Sequence, residues 1–155
     1  MSPDEYTPAK IFTVEEANAR LPLVRAIVSD LMQLATELSE RRDRLNQLSR
    51  KRTGGSSDVY QAEVAQVEQE LEKESERLTD YLRELLALGV EPKSAMAGLV
   101  DFPAMVEGKL AYLCWKYGEP EVLYWHELDA GFSGRQSLTA DSVTGSDLSD
   151  GLFDA

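Results

Sequence analysis

Asp101, Cys114, His126 and Glu127 fall within one aromatic stretch late in the chain, and they include its single cysteine and its single histidine. A thiolate sulfur, an imidazole nitrogen and a carboxylate oxygen are the donors that zinc and iron take from proteins, and three of them leave a coordination position open. Cys114, His126 and Asp101 are therefore the candidate metal ligands, with zinc or iron as the candidate cofactor. A second histidine and a paired-cysteine motif are both missing, so a small buried thiol and a hydrogen-bonded structural histidine compete with that reading. Without a metal, His126 or Glu127 beside Trp125 is the candidate general acid or base, because desolvation next to an indole raises a carboxylate pKa. Cys114 activated by His126 would be the nucleophile. Downstream, Gly131, Phe132, Ser133, Gly134 and Arg135 could wrap an anion, with Arg135 giving a bidentate grip on a carboxylate or phosphate. The competing reading is a tight turn in which Arg135 pairs with an acidic neighbour such as Glu127 or Asp129. Trp115 and Trp125 either line the resulting ligand pocket or, with Tyr112, Tyr117, Tyr124 and Phe132, fill the core.

The elements that must position these groups read as three short strands, at 98–102, 110–117 and 121–128, rich in aromatic and β-branched residues. Pro103 is expected to stop the first, and Gly118, Glu119 and Pro120 to turn the second into the third. Two registers are open. If Tyr117 and Glu121 close a three-residue loop, Cys114 lies opposite Tyr124, diagonal to His126 and on one face with Tyr112; a four-residue loop turns Cys114 towards Trp125 and Glu127.

Ahead of the strands the sequence is helical. Thr13 and Glu16 form a capping-box pattern, so a helix starts near Val14, and Pro22 is expected to kink or restart it. Apolar residues then step by three and four through Val24, Ile27, Leu31, Leu34, Leu38, Leu45 and Leu48, broken only by Arg41. After a turn-like run at 53–57, a second seam passes through Val64, Val67, Leu71, Leu78, Tyr81, Leu85 and Leu88, broken only by Glu74. Gly89 offers a helix cap and Pro92 prevents continuation. A short connection makes the two helices antiparallel neighbours, pairing Leu45 with Val67 and Val24 with Leu88 and placing Arg41 and Glu74 in adjacent layers. Those two charges either reach out to solvent or pair across the seam. Leu21, Leu23, Val28, Met32, Leu82 and Leu86 lie off the seam and need cover, from the β region, from a second copy of the chain, or from both.

The 155 residues, 43% hydrophobic, suit one domain spanning 1–138, followed by an acidic tail at 139–155 expected to be disordered. A net charge of −12 argues against nucleic-acid binding. The arginines at 41, 42, 44, 50 and 52 are interleaved with Glu37, Glu40 and Asp43, as on a solvated helix. There is no apolar run of transmembrane length and no secretory signal, so no membrane partner is expected. An unpaired cysteine agrees with a reducing cytosol.

Gly98 to Pro103, then Leu113, Cys114, Trp115 and Lys116 with Gly118, Glu119 and Pro120, then Tyr124 to Glu127 and the Gly131 to Arg135 run, together resemble a prokaryotic family known as domain of unknown function 2203. The opening Phe12, Thr13, Val14, Glu15, Glu16, Ala17 and Asn18 is similar to that family's start. The resemblance implies a cytosolic prokaryotic protein and carries no catalytic assignment. The expected fold is α+β, a long antiparallel two-helix hairpin packed with a small three-stranded antiparallel sheet, assembled as a homo-oligomer. Two functions stay open. One is a non-catalytic interaction or regulatory module docking through the hairpin. The other is a small metalloprotein or enzyme acting on an anionic small molecule.

Overall fold

The computed structural model describes residues 6–51 and 58–139. The expected turn at 53–57 and nearly all of the acidic tail lie outside them. Two helices, α1 (Val14–Lys51) and α2 (Asp58–Ala87), are followed by strands β1 (Glu91–Ser94), β2 (Leu99–Val106), β3 (Lys109–Lys116) and β4 (Tyr124–His126). A 3-10 turn at Phe132–Gly134 leads to the two-residue β5 (Gln136–Ser137). The strands form one antiparallel sheet in sequence order, so the architecture is α+β.

The capping box forms as the sequence requires. The Glu16 amide donates to Thr13 Oγ1 and the Thr13 amide to Glu16 Oε1, each at 3.0 Å. Those bonds start α1, which then runs through Pro22 without a break, against the expected kink or restart. Packing outweighs the lost backbone bond: Leu21 and Val24, flanking the proline, are both buried. At the far end of α2, Gly89 takes a φ of 86° in a chain reversal where the Val90 amide donates to the Leu85 carbonyl.

The sheet has five strands rather than three, β1 and β5 being additional, and the length of β2 differs from expectation because of where β1 ends. β1 pairs with β2 only as far as Glu91 opposite Asp101, so beyond that point β2 has a free edge. Pro103 sits on it with nothing to donate to, and its carbonyl accepts from the Phe12 amide at 2.7 Å. The strand therefore continues to Val106 instead of stopping at the proline. The same bond ties the residue just before the Thr13 cap to the sheet edge.

Alternation gives the sheet two different faces. Val100, Phe102, Leu113, Trp115 and Trp125 point one way and share a core with Leu21, Val24, Val28 and Leu31 of α1 and Leu85 of α2. This is also where the off-seam residues go: Val28 is buried, and Met32 and Leu82 pack against the same core. Leu23 and Leu86 stay exposed. Asp101, Cys114 and Tyr124 pair across the other face, as do Pro103, Tyr112 and His126.

The shared core reaches Met32 on α1 and resumes at Leu78 on α2. Between these limits the helices bury Leu34, Ala35, Leu38, Val67 and Glu74 and continue as a stalk. The two seam-breaking charges meet in it, Arg41 Nε lying 2.8 Å from Glu74 Oε1, though without the alignment of a hydrogen bond. Arg44 pairs with Glu63 further out, and the Tyr60 hydroxyl donates to the Leu48 carbonyl. These contacts hold the helices antiparallel, close to the pairing expected from the seams.

Replacing Thr13 by Ala removes the cap and should lower stability by about 1 kcal/mol in chemical denaturation. Arg41→Met should cost about 2 kcal/mol, between the exposed and buried limits for an ion pair, because it leaves the Glu74 carboxylate at the seam without its cation. The double variant Arg41→Met with Glu74→Leu should recover most of that loss in the same measurement.

Candidate functional site

The polar face of the sheet is assembled from four strands and covered from both sides. The register of β3 against β4 sets Tyr112 opposite His126 and Cys114 opposite Tyr124, the pairing of a three-residue loop between Tyr117 and Glu121. Asp101 lies opposite Cys114 on one side and opposite Glu91 on the other. Asp101, Cys114 and His126 thus converge, with a donor atom from each lying within 4.8 Å of the other two. All three are at most 2% exposed.

His126 is held at both ring nitrogens. Nδ1 lies 2.7 Å from the Glu127 carbonyl and Nε2 lies 3.0 Å from Asp101 Oδ2. The Glu127 carbonyl only accepts, so Nδ1 carries a proton, and Nε2 donates to Asp101 when the ring is protonated. Burial opposes that charge, but the hydrogen bonds to Asp101 and to the Glu127 carbonyl outweigh it and raise the His126 pKa above its ordinary value. Asp101 Oδ1, in the same pair, is buried without a hydrogen-bond partner.

Cys114 has neither a free base nor solvent. Burial, and then the neighbouring Asp101 charge, push its thiol up to about 12. Since both His126 nitrogens are engaged elsewhere, the geometry gives no support to a cysteine nucleophile activated by the histidine. Glu127 turns away from the cluster and pairs with Lys109 at 2.6 Å on the surface. Trp115 and Trp125 point into the helix-facing core. The Trp115 indole donates to the Glu119 carbonyl at 3.0 Å.

Arg135 closes one side of the polar face. Its guanidinium stacks 3.9 Å from the centre of the Tyr124 ring and 4.7 Å from that of Phe132. It donates to Glu119 at 2.7 Å and to the Cys114 carbonyl at 3.3 Å. The acidic partner is thus Glu119 of the β3–β4 turn, not Glu127 or Asp129. Glu119 also accepts from the Lys116 amide at 2.8 Å, so it ties that turn to the C-terminal loop.

The other side is closed by residues that the sequence reading passed over. Glu91 accepts from Tyr6, from Tyr112 at 2.8 Å and from Lys93 at 3.1 Å. Burial opposes its charge, yet those three donors hold the carboxylate below its usual range. Lys93 also lies 4.5 Å from the centre of the Tyr112 ring, and Tyr112 is tilted against His126 at 5.5 Å. Glu91 and Lys93 are two apart, the spacing that puts strand residues on one face. That alternation was the available signal for β1.

Two outcomes test this geometry. His126→Gln leaves the Asp101 carboxylate buried without a cation and should cost about 3 kcal/mol in chemical denaturation, as for other broken buried pairs. The Cys114 thiol should resist an aromatic disulfide reagent in the native protein and react fully once denatured.

Among the described residues no helix is long and apolar enough to cross a membrane. No curated protein and no solved structure matches the chain. A family model described as an uncharacterized conserved protein, DUF2203, matches residues 10–138. That span takes in both helices, the whole sheet, and the Asp101, Cys114 and His126 cluster, and leaves Tyr6 outside. The chain belongs to the DUF2203 family.

Proposed function

We propose that the chain is a non-catalytic cytosolic interaction module, with the sheet and the helix ends beside it as a rigid head and the helical stalk as the docking element. The observation that carries this reading is the state of the stalk's seam. Leu45, Leu48 and Val64 are only half-buried, and Val59 is 77% exposed. A two-helix seam cannot enclose its own apolar residues, whereas two hairpins packed as a four-helix bundle can. The off-seam residues nearer the head are mostly covered by the sheet, so the distal seam carries the argument for a second copy.

Charge favours the same arrangement. Over its distal part α1 carries Arg41, Arg42, Arg44 and Arg50 against Asp43, while the facing part of α2 carries Asp58, Glu63, Glu68 and Glu70 and no base. A two-fold axis along the stalk sets each α1 against the partner's α2, so basic and acidic surfaces meet twice.

The head supports the non-catalytic half of the reading. Its ionisable cluster is closed to solvent, and the Arg135 charge is already neutralised by Glu119. An enzyme acting on an anionic small molecule would need both of those contacts undone.

Sedimentation equilibrium tests the proposal. The full chain should sediment at twice its 17.3 kDa mass at micromolar concentration. Leu48→Glu combined with Val64→Glu should return it to the monomer with the head's near-ultraviolet circular dichroism unchanged. A monomer of the unmodified chain at about 100 times that concentration would overturn the stalk-dimer reading.

A further inference from the structure

We propose that Asp101, Cys114 and His126 form a closed site for one divalent cation of borderline softness, zinc or ferrous iron, which ties β2, β3 and β4 together. The inference stands apart from the stalk's role, since it concerns only the polar face of the head.

One thiol, one imidazole and one carboxylate come from three different strands, with their donor atoms within 4.8 Å of one another. A sulfur donor disfavours magnesium and calcium, which take oxygen, and favours zinc or iron.

Asp101 is 98% buried, being 2% exposed, and its Oδ1 has no hydrogen-bond partner. Neither nearby lysine nor arginine is free to satisfy it: Lys93 is engaged by Glu91 and Arg135 by Glu119. A buried carboxylate oxygen without a hydrogen bond is costly unless a donor or a metal ion completes it.

A hydrogen bond from Nδ1 to a backbone carbonyl is the outer-shell contact that fixes a ligating imidazole with Nε2 turned to the metal. Here Nδ1 lies 2.7 Å from the Glu127 carbonyl, and Nε2 faces Asp101 Oδ2 at 3.0 Å. With zinc–nitrogen and zinc–oxygen bonds of about 2.0 Å, two donors on a tetrahedral zinc lie about 3.3 Å apart. The Nε2–Oδ2 separation therefore needs to open only slightly, while the Cys114 sulfur, within 4.8 Å of both, has to sit about 3.5 Å from them.

Charge and protons balance. The cation replaces the thiol proton of Cys114 and the proton on His126 Nε2, so two protons leave as one divalent ion enters. The resulting site holds a thiolate, a carboxylate and a neutral imidazole around a charge of +2, with its fourth position left to water.

Cobalt(II) is the probe, because a cysteine thiolate gives it a sulfur-to-metal charge-transfer band that oxygen and nitrogen ligands do not. Untagged, chelator-treated chain titrated with cobalt(II) chloride should develop that band with tetrahedral d–d absorption, saturating at one equivalent. Zinc(II) should bleach it, and ferrous iron added anaerobically should bleach it only if iron is the better occupant. Cys114→Ala should abolish the band, whereas Glu127→Gln, outside the cluster, should retain it. Absence of the band in the folded unmodified chain would overturn the proposal, whatever the stability of the variants. So would cobalt binding whose spectrum is the same in Cys114→Ala.

Discussion

The register of β3 against β4 is the constraint on which the rest of the head depends. With Tyr112 opposite His126 and Cys114 opposite Tyr124, alternation sends Leu113, Trp115 and Trp125 to the helices and the thiol, imidazole and carboxylate to the far side. Side chains repeat every second residue, so a slip of one position would bury His126 against α1 and expose an indole. The apolar face cannot tolerate that exchange. The polar cluster is therefore held in place by the packing of its tryptophan neighbours as much as by its own bonds.

A sheet that is buried on both faces with helices on only one must find its second cover elsewhere. Here it comes from single side chains. Arg135 and Phe132 close one end over Tyr124, and Tyr6 and Lys93 close the other over Tyr112. Each cationic cover residue is matched to its own carboxylate, Glu119 or Glu91, so charge is neutralised locally at the rim. Asp101 is left to His126 and to the weak thiol donor of Cys114, and its Oδ1 makes no well-formed hydrogen bond. That difference between a satisfied rim and an unsatisfied centre is what makes the centre chemically distinctive.

How much of this could be read from the chain varied with the kind of signal. The Thr13–Glu16 cap and the two seams are legible because helical periodicity is local, whereas for Arg41 and Glu74 the sequence leaves solvation and pairing both open and the packed helices decide for pairing. The cluster of Cys114, His126 and Asp101 was legible once the Tyr117–Glu121 loop length was chosen. β1 was missed because Glu91–Ser94 carries no run of strand-forming residues and pairs only through its backbone and its rim charges. Pro103 reads as a stop because its tolerance depends on where β1 ends, which is a fact about a neighbouring strand. Pro22 was over-weighted for the same reason, since packing against the sheet holds α1 continuous. Glu119 as the partner of Arg135 joins a turn to a distant loop, a contact no local pattern announces.

The most direct test of the account is a set of nuclear Overhauser contacts around the ring of the single histidine. The β3–β4 register predicts cross-peaks from the His126 ring protons to Tyr112 and to the Cys114 β-protons, with none from Cys114 to the Trp125 indole. Cross-peaks joining Cys114 to Trp125 in place of His126 would mean the alternative four-residue loop, and would contradict the convergence on which the polar face is built.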